Sequence, residues 1–84
     1  MAGLIDKSTS FGFQNFFICS IDTSDLTYDY YGFQDKKGAV LIMRTDKTFS
    51  SVLYYVEAGD FATIFAAKAG YTYVNPVDLV DPNI

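Results

Sequence analysis

Apolar and polar positions alternate through the middle of the chain and then change period once. In residues 11–21 (FGFQNFFICSI), Phe11, Phe13 and Asn15 fall on one face and Gly12, Gln14 and Phe16 on the other, which predicts a strand. The alternation dissolves into the apolar run Phe16–Cys19, so this strand is either buried on both faces or bulged. Asp22, Ser24 and Asp25 then supply turn chemistry, because short polar side chains bond back to nearby backbone. Residues 26–34 (LTYDYYGFQ) predict a second strand, with Tyr28, Tyr30 and Gly32 on one face and Thr27, Asp29, Tyr31 and Phe33 on the other. Asp35-Lys36-Lys37-Gly38 is a tight-turn signal, with Gly38 placed for a positive φ. Residues 39–45 (AVLIMRT) return with Leu41 and Met43 on one face and Val40, Ile42 and Arg44 on the other. After Asp46-Lys47-Thr48, residues 49–57 (FSSVLYYVE) place Val52, Tyr54 and Val56 opposite Leu53 and Tyr55. Turns this short join only antiparallel neighbours, so the strands form a meander.

The period then lengthens. Phe61, Ile64 and Phe65 recur at helical spacing, Lys68 extends the row, and four alanines between 62 and 69 favour helix. Asp60 is a candidate N-cap, Lys68 suits the negative end of the helix dipole, and Gly70 is a candidate stop. The expectation is a helix over 60–69, too short to stand alone, with Phe61, Ile64 and Phe65 on the meander. Residues 71–74 (YTYV) resume a period of two, and Asn75-Pro76 ends that run.

The expected fold is therefore a small α+β domain: an antiparallel sheet of four or five strands with one short helix packed on a face. Residues 1–10 are expected to form an N-terminal arm, 11–76 the single domain and 77–84 a C-terminal tail. The arm carries Leu4 and Ile5 as an apolar pair that can latch onto a neighbouring surface; the other reading is a frayed terminus.

Composition narrows the chemistry. The chain has 84 residues, with a net charge of −4 and a single cysteine, and it lacks histidine. A non-specific nucleic-acid binder needs a basic face, which six Lys and Arg against ten acids do not supply. Without His there is no Ser-His-Asp set, and the glycines are scattered rather than gathered into a phosphate loop. The spacing Asp22-x-x-Asp25-x-x-x-Asp29 does not match an EF-hand loop, so these are expected to be solvated turn acids. Paired carboxylates for glycoside hydrolysis would need a deep cleft that so small a domain seldom builds. Cys19, among Phe16, Phe17 and Ile18, is expected to be a buried, inert thiol. The longest apolar run is far short of a membrane span, and the first ten residues have no apolar stretch behind a basic start. The expectation is thus a non-enzymatic chain, folded in a cytosol, with no cofactor, metal, nucleic acid, membrane or small-molecule substrate.

The aromatics point toward protein partners. Seven tyrosines exceed what one small core buries with every hydroxyl satisfied, and Tyr and Phe rings are enriched at interfaces. The alternative is that Tyr simply lines half-exposed strands. A carbohydrate platform usually leads with Trp, and there is none. The candidate partner-binding residues are Leu4 and Ile5 of the arm, Tyr28, Tyr30 and Tyr54 of the sheet, and Leu79 and Val80 of the tail.

Two blocks carry a family resemblance. The first is Tyr30-Tyr31-Gly32-Phe33 followed by Asp35, Gly38 and Leu41-Ile42-Met43-Arg44. The second is Asp60-Phe61-x-x-Ile64-Phe65-x-x-Lys68-Ala69-x-x-Thr72-Tyr73. Over about half the chain, Tyr30 to Tyr73, this resembles a group of short proteins of tailed bacteriophages, small virion-associated or uncharacterised products. The family's second block carries Trp, Arg and Leu where this chain has Phe65, Lys68 and Tyr71, with the spacing kept. The motifs describe how a helix packs on a meander, and no active-site residue is carried over. The resemblance implies a multi-copy structural component of the virion, made in the host cytoplasm and bound to larger virion proteins (capsid, connector or tail) and to copies of itself. The alternative is a small phage-encoded inhibitor or binder of a host protein.

Overall fold

The computed structural model describes residues 15–80 and residue 82. Four antiparallel strands run in sequence order: β1 (Phe17–Asp22), β2 (Tyr28–Gln34), β3 (Ala39–Asp46) and β4 (Val52–Ala58). The helix α1 (Phe61–Ala66) follows, then two short 3-10 turns, Lys68–Gly70 and Pro76–Asp78. The coarse α+β expectation holds, with four strands. The predicted strand over 71–74 is reduced to one bridge. Val74 exchanges two backbone hydrogen bonds of 2.8 Å with Tyr54, and the chain then turns at Pro76, which has no N–H to continue a ladder.

Each hairpin is set by an aspartate at its mouth. Asp35 Oδ1 accepts from the N–H groups of Lys37 and Ala39, both at 2.9 Å, while Gly38 takes φ 96°. Asp46 Oδ1 accepts from Thr48 and Phe49 at 2.7 and 2.9 Å. Asp25 Oδ1 accepts from Thr27 and Tyr28 at 2.7 and 3.0 Å, and Asp22 Oδ1 from the Ser24 N–H at 2.9 Å. These Asx hydrogen bonds satisfy turn donors that no strand could reach.

The register gives the sheet two faces. Tyr30 opposes Arg44, Gly32 opposes Ile42, and Ile42 opposes Tyr55, all on the face that receives α1. Tyr30, Val40, Ile42, Ile64, Phe65 and Tyr73 form the buried cluster there, with Leu53, Tyr55, Phe61 and Tyr71 packed around it. A fully buried Val or Ile of this kind contributes about 1.5–3 kcal/mol. Gly32 makes the close approach possible. A Cβ there would lie 2.6 Å from Phe61 Cζ and 2.8 Å from Phe65 Cδ1.

Three local expectations are corrected. The helix does not extend over 60–69; it ends at Ala66. Asp60 does cap it, Oδ2 accepting from the Thr63 N–H at 3.0 Å. The Ile64 carbonyl, however, is taken by the Ala67 N–H at 3.2 Å and the Tyr71 hydroxyl at 2.9 Å, which tightens the chain into a 3-10 turn. Gly70 is accordingly not a left-handed stop; the positive-φ glycines of the described residues are Gly38 and Gly59. Lys68 lies in the 3-10 turn and not in the last turn of α1.

Cys19 is exposed, not buried. The β1–β2 register shifts between Ile18 and Ser20, so Cys19 occupies a bulge on an edge strand, and β1 is not buried on both faces. Tyr30, expected at a partner surface, is a core residue at 3% exposure.

Candidate functional site

The helix face of the sheet is where titratable and aromatic groups converge. The Arg44 guanidinium lies between two rings, 4.1 Å from the Tyr28 centroid and 4.5 Å from that of Tyr73. Lys68 Nζ stands 4.6 Å from the Phe65 centroid and 5.6 Å from that of Tyr30, and reaches Asp22 Oδ2 at 2.8 Å. β2 and β3 position the first cation, and the turn after α1 positions the second. Tyr55 and Tyr71 stack with centroids 3.9 Å apart. Such cation–ring contacts contribute about 0.5–2 kcal/mol each, more as they are desolvated.

Three hydroxyls on this face are used internally. Tyr73 donates to the Lys68 carbonyl at 2.6 Å, Tyr71 to the Ile64 carbonyl, and Tyr55 to Glu57 Oε1 at 2.6 Å. Burial, then the hydrogen bond to Glu57, pushes Tyr55 up to about 12. Burial raises Tyr73 further, and Tyr30 and Tyr71 also rise, chiefly by burial. The carboxylates move the other way. The Lys68 contact and then Ser24 hold Asp22 well below the usual range. Backbone N–H donors lower Asp25 and Asp60. Every one of these shifts moves its group away from neutrality, whereas a general acid or base works best near the operating pH. Chemically, the cluster is a clamp that holds α1 and the 71–74 segment on the sheet.

Among the strand residues described, Asp29 is the acid on the second face. Lys47 Nζ is 3.4 Å from Asp29 Oδ1, an ion-pair distance without hydrogen-bond geometry, and makes its hydrogen bond to the Thr23 carbonyl at 2.9 Å.

That second face is apolar. Ile21 opposes Tyr31, Phe33 opposes Leu41, Met43 opposes Tyr54 and Leu41 opposes Val56. Leu41 at its centre is buried, Tyr31, Phe33, Met43, Tyr54 and Val56 are half-buried, and Ile18 and Ile21 are more than half exposed.

The expected partner residues are therefore dispersed. Tyr28 and Tyr30 belong to the clamp face, Tyr30 wholly so. Tyr54 lies on the second face beside the sheet edge that Val74 joins. Leu79 is half-buried and Val80 is exposed. Leu4 and Ile5 lie outside the described residues. Sequence reasoning missed two strongly exposed apolar groups, Leu26 and Phe49, by assigning both to strands. The available signal was a lone large apolar residue inside turn chemistry: Ser24-Asp25-Leu26-Thr27 and Thr48-Phe49-Ser50.

Among the described residues, no helix is long and apolar enough to cross a membrane. Compared with protein-family models, curated proteins and solved structures, the chain matches none of them.

Proposed function

We propose that this chain is a non-enzymatic structural component of a tailed-bacteriophage particle. It is present in many copies and bound to larger virion proteins and to copies of itself. The observation that carries the reading is the second sheet face. A sheet buries both apolar faces against something, yet among the described residues α1 and the Tyr71–Tyr73 segment both pack on the face of Ile42. Large apolar side chains left at the surface mark interaction sites. The resemblance of the two sequence blocks supplies the particle.

The acidic charge favours a second reading, a phage-encoded inhibitor covering a basic surface of a host protein. Mass spectrometry of purified particles separates the two. A component of the particle is found at a fixed copy number after extensive washing. Recovery only from the infected-cell lysate refutes the particle reading and favours the inhibitor.

A further inference from the structure

The two ends of the sheet differ in character. At one end is the Asp35–Gly38 hairpin, whose exposed residues are Lys36, Lys37 and Gly38. At the other end are the β1–β2 and β3–β4 loops, joined by the Lys47 N–H donating to the Thr27 carbonyl at 2.9 Å and by Lys47 Nζ on the Thr23 carbonyl. Here Leu26 is 94% and Phe49 81% exposed. Ile21 and Val52, also exposed, continue the apolar surface onto the second face.

These loops are stiff. Asp25 and Asp46 each hold two backbone N–H groups, and Ser50, directly after Phe49, sits at φ 58°. A non-glycine residue in the left-handed region costs free energy and persists where its surroundings impose it, commonly at binding sites. Two apolar side chains held out on a fixed backbone lose little entropy on being captured, which is the property of an anchor residue.

We propose that this end of the sheet inserts Leu26 and Phe49 into an apolar pocket of another protein whose rim carries Lys or Arg. The choice of occupant rests on charge. Asp25 and Asp46 stand in the two loops that present the tip; the other acids near it, Asp29 and Asp22, are paired with Lys47 and Lys68, and the remaining cation at this end, Arg44, is held between the Tyr28 and Tyr73 rings. An acidic collar repels an anionic lipid surface, and a second copy would bring like charges together. A cationic rim meets the same collar favourably and speeds encounter. The inference goes beyond the particle reading and holds equally for a host-protein partner.

The test places a photo-crosslinking benzoylphenylalanine at position 26 or 49 of the full chain, with position 37 at the opposite end as control, in the cells that make it. Both test positions are exposed, so the fold is kept. The expected result is one discrete adduct with a different protein from 26 and 49 but not from 37, its crosslinked peptide flanked by Lys or Arg. Asp25→Asn with Asp46→Asn keeps the accepting oxygens and removes the charges; adduct yield should fall about tenfold, as should wild-type yield on raising salt. With the captured protein purified, Leu26→Ser should weaken binding about thirtyfold, the size of an anchor loss. Adducts with the chain's own copies, equal yield from 37, charge-insensitive yield, or binding of the purified chain to phosphatidylglycerol vesicles would each overturn the proposal. Absence from purified particles would sink the particle reading and leave this result standing.

Discussion

Alternate side chains of the same four strands enter two different environments. On one face Val40 and Ile42 are buried under Ile64 and Phe65, and two cations are held between aromatic rings. On the other, one residue along, Leu41 is buried while Met43, Tyr54 and Val56 stay half-open and Ile21 is 57% exposed. Composition does not separate the faces, because both are apolar and both carry tyrosine. What separates them is where the chain after β4 goes. The Asp60 cap starts a helix, Gly32 lets it sit close, and the Tyr71 and Tyr73 hydroxyls tie the returning segment to the carbonyls of Ile64 and Lys68. Stability accordingly concentrates on the clamp face, and exposed apolar surface on the other.

The sharpest way to break that comparison is Phe65→Ala. Phe65 is buried against Ile42 and stacked on Phe61, with ring centroids 5.4 Å apart. Truncation should cost about 3–5 kcal/mol, a large share of the roughly 5–10 kcal/mol available to a domain this small. Chemical denaturation measures it directly. A cooperatively folded variant with an unchanged midpoint would mean that the helix face is not the core.

Gly32→Ala tests the same face by adding an atom where Phe65→Ala removes several. The new methyl would meet both helix phenyl rings at under 3 Å, so α1 must lift or its rings must turn. The expected loss is about 1–3 kcal/mol. An unchanged melting temperature would show that the rings move freely and that the clamp is looser than its geometry.

Val56→Ser probes the second face at a half-buried position. The expected loss is about 1 kcal/mol, the ordinary size for a site away from the core, together with weaker association with partner proteins. Destabilisation as large as that of Phe65→Ala would erase the difference between the faces.

Much of this arrangement was legible in the chain. The period of two with Asp and Gly at the turns put Tyr30 with Gly32, Val40 with Ile42, and Leu41 with Met43 on the faces they occupy. Asp60 before Phe-x-x-Ile-Phe announced the cap. The rest depends on contacts distant in sequence. The helix ends early because Tyr71 reaches back seven residues to Ile64. Cys19 is exposed because its pairing with β2 slips by one residue; the broken alternation of Phe16–Cys19 left a bulge and a doubly buried strand equally open, and only the pairing with β2 decides between them. Tyr30 is core and not interface because Arg44, Lys68 and Tyr73 assemble around it from three elements. Leu26 and Phe49 continue the alternation of the strands beside them, so period alone places them in strands; the Asx hydrogen bonds of Asp25 and Asp46 take them out.

The subtlest expected effect is silent at neutral pH and appears in alkali. Tyr30, Tyr55, Tyr71 and Tyr73, all on the clamp face, are harder to ionise than an ordinary tyrosine, Tyr55 up to about 12. An unfolded tyrosine loses its proton near pH 10. Between that pH and the folded value, the native state holds more protons than the unfolded one, so stability falls as pH rises. The contribution of these hydroxyls is complete below about pH 10 and is lost on climbing through the folded values. Alkaline unfolding should therefore coincide with tyrosinate formation, both followed on one sample by ultraviolet absorbance and near-ultraviolet circular dichroism. Tyr55→Phe removes one such proton together with its hydrogen bond to Glu57, so its loss of stability between pH 10 and 12 should be shallower than that of the wild type. Full ionisation at about pH 10 with the aromatic dichroism intact would show that solvent reaches the clamp hydroxyls in the folded state, and the contrast between the faces would then rest on packing alone.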